Sequence, residues 1–389
     1  MVVNELTPTQ AALIARGVYR LREDSVSTMR ERGQNLGCED MFQTDDASRF
    51  QGRSGSLAWK RLSGFGYIAN GTGIYQNDVL LVTRGTAMAV DWLTNFNIGM
   101  QKGPGGHLVH AGFNETWKSF RSDVSDFMKG KNPACIHCVG HSLGGALAAL
   151  NADYLSTLGA GQVKLYTFGS PRAGSFLFSR ALTNRLGSNN IYRVSHPSDP
   201  VPMIPIFPFQ HLPHNIQGLT VSNALGGLIN PDAHGMAESY IPGVDGKAWN
   251  NLLMPAEPGW DGKAKAWLEH SVLSGNGFVM GSAKLLIMIG QALFWILKKS
   301  KDILIGAVGT ALAVGATIID QLAWLLGRAA DLSKEIAGYV TKLIAAIFRF
   351  LGRTASSTVS ITITFLRWVL DLLFTALSAG AVRALARVR

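Results

Sequence analysis

Residues 135–150 read CIHCVGHSLGGALAAL. The apolar run at 135–139 predicts a short buried strand, and the alanine- and leucine-rich end of the stretch predicts a helix. Between them stands Gly-x-Ser-x-Gly, centred on Ser142, which is typical of a sharp strand-to-helix turn that presents a serine hydroxyl. The N–H of Leu143, at the start of the predicted helix, is placed to stabilise an oxyanion. The stretch therefore predicts a nucleophile elbow.

Partners for Ser142 are expected further along the chain. A serine hydroxyl becomes a nucleophile when a histidine takes its proton and a carboxylate orients that histidine. On such elbows the chain order is serine, acid, histidine. Asp199 follows the strand predicted at 191–194, at the sheet edge where ligand-facing residues gather. The later histidines are His211, His214, His234 and His270. Their spacing favours His234, at the passage from a loop into a predicted helix, and leaves the other three open.

Predicted strands alternate with predicted helices through the first half of the chain. We expect strands at 65–69, 79–82, 135–139, 163–168 and 191–194, and helices at 7–22, 114–130, 146–158 and 175–186. Residues 23–62 are polar and predict irregular structure. The alternation predicts an α/β fold with a mostly parallel sheet.

The composition excludes several classes of protein. With 47% apolar and 16% charged residues, the chain has enough apolar material for a core and is not disordered. Three cysteines are too few for a disulfide framework. Cys135 and Cys138 lie three apart on one predicted strand and point to opposite faces, which predicts buried thiols. The first residues lack the basic patch and apolar run of a secretory signal peptide.

The C-terminal quarter is basic and apolar. Between Lys284 and Arg389 there are 13 Lys or Arg and 5 Asp or Glu, so this part holds +8 of the formal net charge of +10. Its apolar runs lie at 285–297, 303–319, 336–351 and 368–382. The 17 uncharged residues at 303–319 approach the length that crosses a bilayer of about 30 Å. This character indicates an anionic membrane surface and no nucleic-acid partner. The runs also fit interfacial or hairpin helices, or a bundle covered by a partner.

Several segments together resemble the class 3 lipases, the fungal-type lipases of α/β-hydrolase fold. They are Arg84-Gly85-Thr86, Val109-His110-Ala111-Gly112-Phe113, the elbow, the stretch at 166–174 that reads YTFGSPRAG, and Ser198-Asp199-Pro200-Val201-Pro202. Their order covers roughly residues 10–245. The resemblance implies Ser142 as nucleophile, Asp199 as orienting acid and His234 as base.

The same resemblance implies further parts of a site. The N–H groups of Thr86 and Leu143 would form the oxyanion hole, and residues 87–105 would form an apolar lid. His234 lies in a segment similar to His-x-Met-x-x-Tyr, from which Tyr240 is slightly offset. His110 and His141 would be structural, hydrogen-bonding residues. We expect no metal and no organic cofactor.

These observations divide the chain into three parts. We expect a class 3 lipase-like domain at 1–245, a linker at 246–281 and a hydrophobic, all-α, membrane-seeking region at 282–389. The function predicted is hydrolysis of carboxylic esters in lipids or phospholipids by a membrane-associated serine enzyme. The layout also resembles bacterial lipase effectors delivered by type VI secretion, which implies non-classical export into a target-cell periplasm, a secretion-system partner and an immunity protein.

Other functions stay open from the sequence. The C-terminal helices would act directly in a membrane-disrupting or pore-forming protein, or dock a secretion or chaperone partner. The same triad would also serve an acyltransferase.

Overall fold

The computed structural model describes residues 4–22, 25–54, 61–85, 99–206, 208–214, 218–221, 229–252, 264–271, 281–300, 317–354 and 360–386. The predicted oxyanion residue Thr86, residues 87–98 of the predicted lid and residues 303–316 of the second apolar run lie outside these ranges.

Within these ranges the strands and helices alternate up to about residue 220. The strands are β1 (Phe42–Gln43), β2 (Arg49–Ser54), β3 (Arg61–Gly71), β4 (Asp78–Thr83), β5 (Met100–Lys102), β6 (Leu108–His110), β7 (Cys135–His141), β8 (Gln162–Phe168), β9 (Gly174–Ser175), β10 (Ile191–Ser195), β11 (Phe209–Gln210) and β12 (Leu219–Thr220). The helices are α1 (Pro8–Gly17), α2 (Val26–Glu31), α3 (Ala111–Lys118), α4 (Arg121–Met128), α5 (Leu143–Thr157), α6 (Phe176–Leu186), α7 (Ile241–Val244), α8 (Ala283–Lys299), α9 (Ile318–Leu332), α10 (Lys334–Phe350) and α11 (Ile363–Ala386).

The main sheet has the strand order β1-β3-β4-β7-β8-β10-β12, with β2 paired to β3. From β4 to β12 neighbouring strands are parallel, whereas β3 pairs antiparallel with β1, β2 and β4. A small antiparallel sheet, β11-β9-β6-β5, lies beside it. The predicted α/β-hydrolase fold with a mostly parallel sheet is confirmed.

Burial of both sheet faces explains the apolar runs that form the central strands. Every residue of β4 and β7 is buried, as expected for parallel strands covered by helices on both sides. Leu80 and Val82 belong to the same buried cluster as the apolar residues of α1, whereas Leu81 belongs to the cluster that contains α5. Cys135 and Cys138 are free, buried thiols on β7, as predicted.

Glycine makes the turn between β7 and α5 possible. A Cβ on Gly140 would overlap the backbone of Gly144, and a Cβ on Gly144 would overlap the backbone carbonyl of Thr83 on β4. The Thr83 hydroxyl also donates to the Gly144 carbonyl at 2.7 Å. Strand and helix therefore approach at a distance that excludes any side chain at these two positions.

The sequence expectations differ from the structure at three places. Residues 23–62, predicted as irregular, contain α2, β1 and β2 and the first residues of β3. The single helix predicted at 114–130 is divided into α3 and α4. The end of the predicted lid, from residue 100, forms β5 and pairs with β6.

The segment predicted as a linker contributes buried side chains. The Trp249 indole N–H donates to the Leu6 carbonyl at 2.8 Å. Trp267 and Leu268 are buried in the same cluster as α5. Residues at both ends of 246–281 therefore pack against the folded chain, and the domain boundaries stay a prediction.

The described C-terminal residues are largely helical, as predicted. Contacts join α8 to α10, and α9 to both α10 and α11. Their buried side chains are continuous with the cluster around α5. Among the described residues, α11 is long and apolar enough to cross a membrane by length and composition, and half of its apolar window is buried within the fold.

We predict that Gly144→Ala lowers the free energy of unfolding by more than about 2 kcal/mol, because the new methyl group meets the Thr83 backbone, which cannot move aside. Gly338→Ala is the matched control, since a Cβ there has no heavy atom within 4 Å and the residue lies in α10. Chemical denaturation measures both. Equal stability of Gly144→Ala and the unmodified protein would contradict the packing described for the turn.

Candidate active site

Ser142 occupies the turn between β7 and α5 in a strained backbone conformation. Its φ of 59° and ψ of −136° cost a non-glycine residue about 1–3 kcal/mol. Such strain is typical of a nucleophile elbow, in which the turn lifts the serine side chain from the sheet edge. The Ser142 N–H donates to the Phe168 carbonyl at 2.9 Å and ties the turn to β8.

Ser142, His234 and Asp199 form a continuous hydrogen-bonded chain. His234 Nε2 lies 2.8 Å from Ser142 Oγ, and His234 Nδ1 lies 2.8 Å from Asp199 Oδ2. The three residues come from the elbow, the turn Pro231–His234 and the loop after β10, and all are fully buried. With this geometry the imidazole can take the hydroxyl proton at Nε2 while the carboxylate holds the Nδ1 proton.

The Asp199 carboxylate has further donors. Besides His234, the Tyr240 hydroxyl donates to Oδ2 at 2.6 Å and the Val201 N–H donates to Oδ1 at 2.9 Å. Burial and the neighbouring carboxylate raise the pKa of Tyr240 well above its ordinary value, so the phenol keeps its proton at neutral pH. A buried carboxylate requires such partners, because desolvation of an unpaired charge is costly.

A π-helical turn brings Tyr240 to the site. The turn covers Met236–Tyr240, directly after His234 and Gly235. A π turn closes over five residues instead of four, so it holds one residue more than an α turn. The offset of Tyr240 from the expected pattern is thereby accommodated, and its hydroxyl reaches Asp199. The sequence reasoning gave Tyr240 no role, although its place in that pattern was a signal.

Gly169 is a second position that the sequence reasoning missed. It has φ of 55°, and a Cβ there would lie 2.9 Å from Asp199 Oδ2 and 3.0 Å from His234 Nδ1. The absence of a side chain at this position leaves room for the contact between acid and histidine. The sequence signal for Gly169 was its position directly after the strand predicted at 163–168.

His141 supports His234 through the backbone. With its proton on Nε2, His141 donates to the His234 carbonyl at 2.9 Å, while the Tyr19 hydroxyl donates to His141 Nδ1 at 2.9 Å. Burial and the nearby His234 hold the pKa of His141 well below its usual value, which keeps the ring neutral. This matches the structural, hydrogen-bonding position expected for His141.

Of the two expected oxyanion donors, Leu143 lies within the described residues and Thr86 does not. Leu143 is the first residue of α5, and N–H groups in a first helical turn have no acceptor within the helix. Thr86 lies outside the described residues. Its neighbour Gly85 is beside the nucleophile, since a Cβ on Gly85 would lie 3.2 Å from Ser142 Cβ.

The remaining candidate histidines lie elsewhere. The structure brings His234 to Ser142, whereas His211 lies with Arg172 and Arg193, and its pKa is lowered by burial and by these cations. His214 packs edge-on against Phe176. The side chain of His270 is outside the described part. In the described ranges, no group of three His, Cys, Asp or Glu side chains is arranged to hold a metal ion.

A Ser-His-Asp chain on a strand–turn–helix elbow, set in a mostly parallel sheet, is the arrangement of serine hydrolases of the α/β-hydrolase class. The family model described as Lipase (class 3) matches residues 80–209, which include Ser142 and Asp199 and end before His234. The resemblance to class 3 lipases is therefore confirmed over this segment.

Individual proteins are similar over a comparable stretch. Secreted mono- and diacylglycerol lipase 1 of Fusarium solani is 37% identical over 144 residues, 35% of this chain and 42% of that protein. Secreted mono- and diacylglycerol lipase A of Penicillium cyclopium is 34% identical over 135 residues, 33% of this chain and 43% of that protein. The match thus spans about four tenths of these curated relatives. The crystal structure of Lip2 lipase from Yarrowia lipolytica is 21% identical and covers 57% of this chain and 79% of its own, with a TM-score of 0.42.

We predict that Tyr240→Phe lowers kcat for p-nitrophenyl butyrate on the order of tenfold with little change in KM, because a buried charged acceptor loses one donor. Tyr75→Phe is the control, since its hydroxyl donates to the Glu5 carbonyl at 3.2 Å, away from the triad. Steady-state kinetics of both variants measures kcat and KM. An unchanged kcat, or an effect on KM alone, would mean that the phenol does not position Asp199.

We also predict that the protein loses stability as the pH falls below about 6.5. Burial holds the pKa of five described histidines below the usual value: His110, where it is about 3, and His137, His141, His211 and His214. The unfolded chain takes up these protons near pH 6.5 and the folded chain does not, so the free energy of unfolding falls by up to about 1.4 kcal/mol per pH unit per histidine. Denaturation at pH 7.5 and 5.5 measures this; greater stability at pH 5.5 would contradict it.

Proposed function

We propose that this protein is a serine lipase that hydrolyses carboxylic ester bonds of membrane lipids, including phospholipids. The observation that carries the proposal is the pair of 2.8 Å contacts that join His234 to Ser142 on one side and to Asp199 on the other. A serine without a base in hydrogen-bond reach is a poor nucleophile at neutral pH. Here the base and the group that orients it are both in contact.

The chemistry follows from these positions. His234 Nε2 takes the proton from Ser142 Oγ, and Oγ bonds to the acyl carbonyl carbon. The tetrahedral intermediate collapses, the alcohol leaves with the proton from His234, and the acyl group stays on Ser142. Water then gives a proton to His234 and its hydroxide bonds to the acyl carbon; the bond to Ser142 Oγ breaks, Oγ takes the proton back from His234, and the fatty acid is released. Asp199 stabilises the charged imidazole in both halves of the reaction.

The proposed oxyanion hole consists of the N–H groups of Leu143 and Thr86. Leu143 lies at the N-terminus of α5, where the helix dipole favours negative charge. The position of Gly85 beside Ser142 supports a donor from the next residue. Loss of one such donor costs acyl-transfer enzymes about 3 kcal/mol of transition-state stabilisation.

The proposed substrate class rests on two supports. The similar fungal proteins carry the names of mono- and diacylglycerol lipases, which supports lipid esters. The balance of +8 between Lys284 and Arg389 supports anionic phospholipid surfaces over neutral fat. We further propose that the C-terminal helices associate with the membrane. Export as an antibacterial effector, with a secretion-system partner and an immunity protein, stays a prediction from the sequence layout.

The test is fatty-acid release from phosphatidylglycerol–phosphatidylethanolamine vesicles and from diacylglycerol and triacylglycerol emulsions. We expect release from the vesicles, and a loss on the order of 10⁴-fold or more in Ser142→Ala. Ser156→Ala, in α5, is the control. We expect it to retain activity, since the Ser156 hydroxyl donates to the Asp153 carbonyl at 2.9 Å, away from the triad.

Other outcomes distinguish the parts of the proposal. Release from the emulsions alone would support a lipase and contradict phospholipids as its substrates. No release from any substrate, together with dye leakage from vesicles that is the same in Ser142→Ala, would contradict the enzyme and assign the function to the C-terminal helices as a membrane-disrupting protein.

A further inference from the structure

The triad has no exposed surface. Ser142, Asp199 and His234 are each 0% exposed. An ester carbonyl must come within bonding distance of Ser142 Oγ, so some part of the chain that covers the site has to move before a substrate can bind. An element that covers the site must lie on the loops that carry Asp199 and His234, here called the triad loops.

The C-terminal end of α11 lies on the loops that carry the acid and the histidine. At Gly380, a Cβ would lie 3.7 Å from Pro200 Cβ and 3.9 Å from Ile229 Cγ2. Pro200 follows Asp199 in the chain, and Ile229 leads into the turn Pro231–His234, which itself contacts α11. A single helix, which begins 129 residues after His234, therefore packs on both loops.

This end of α11 carries no charge on its outer side. No charged residue occurs from Leu372 to Val382, and the exposed positions there are Thr375 and Ala379. By contrast, α10 exposes Lys334 and Glu335 to water. An uncharged helix end can lie either against a protein core or in the acyl region of a membrane. Here half of the apolar window is buried by protein, and the other half is not.

The dimensions of α11 match a bilayer. Its 24 residues extend about 36 Å, against a hydrocarbon core of about 30 Å, and one exposed carboxylate, Asp371, lies within that length. Arg367 and Arg383 are both exposed near its ends, where cations meet anionic headgroups, and Arg367 also pairs with Asp320 at 2.8 Å. Acyl chains can surround the uncharged end of this helix as the protein does, so a bilayer competes with the protein for it.

We propose that α11 is a cover that keeps the triad closed in water, and that an anionic phospholipid bilayer opens the site by taking up this helix. When α11 leaves Pro200 and Ile229, the loops of Asp199 and His234 become accessible to lipid. The inference rests on the proposed function, because it concerns access to the same serine. The rival role for α11 is a permanent support that holds the loops in place, and the two roles predict opposite effects of moving or fixing the helix.

The first test forces the helix off the loops. Gly380→Phe places a ring where only a hydrogen now faces Pro200, whereas the methyl group of Gly380→Ala fits at 3.7 Å and serves as the matched control. With dissolved p-nitrophenyl butyrate and no vesicles, we expect Gly380→Phe to raise kcat/KM about tenfold and Gly380→Ala to leave it unchanged. Addition of anionic vesicles should raise kcat/KM of the unmodified protein and add little to Gly380→Phe.

The second test fixes the helix on the loops. The separation of 3.7 Å between Pro200 Cβ and a Cβ on Gly380 lies within the range that a disulfide spans. We expect oxidised Pro200→Cys/Gly380→Cys to lose the response to vesicles and to regain it on reduction. Each single cysteine variant, oxidised in the same way, is the control.

The outcomes distinguish a movable cover from a permanent support, and both from a failure of the proposed function. A fall of kcat/KM in Gly380→Phe, or a crosslinked protein that still responds to vesicles, would overturn the cover and favour a permanent support. Activation by zwitterionic and anionic vesicles alike would overturn the anionic surface as the specific trigger. If Ser142→Ala hydrolyses the ester as fast as the unmodified protein in every state, the proposed function fails, whatever α11 does.

Discussion

The contact of three backbones at the elbow is the constraint on which the rest of the structure depends. The end of β7, the start of α5 and the end of β4 meet at Gly140 and Gly144 with no space for a Cβ. This packing holds Ser142 in its strained conformation and points the N-terminus of α5 at the same place. The hydroxyl and the positive end of the helix dipole are thus brought together by one turn.

A buried polar network completes the site around that turn. The Asp199 carboxylate is placed by His234, Tyr240 and Val201, and His141 holds the His234 carbonyl. Since each group is buried, removal of one partner leaves another unsatisfied, and this restricts the network to a single arrangement. The same burial explains why a ligand cannot reach Ser142 without movement of a covering element.

The central fold and the triad candidates were predictable because they depend on local patterns. Apolar runs identified the strands on both sides of Ser142, and chain order pointed to Asp199 and, among four histidines, favoured His234. Contacts between distant segments were not predictable. The phenol of Tyr240 reaches Asp199 only because of a π turn, and Gly169 matters only through the loops that it faces. The polar segment at 23–62 folds because its strands β1 and β2 pair with β3 at the sheet edge, which its own composition does not indicate.

In the proposed function the C-terminal helices bring this site to a lipid surface, and the chemistry itself depends on Ser142. The most direct measurement is intact and peptide mass spectrometry after treatment with a small fluorophosphonate, in the presence of anionic vesicles. The account predicts one adduct, on Ser142, which is lost in His234→Ala. An adduct on another residue, or none on folded, vesicle-bound protein, would contradict it.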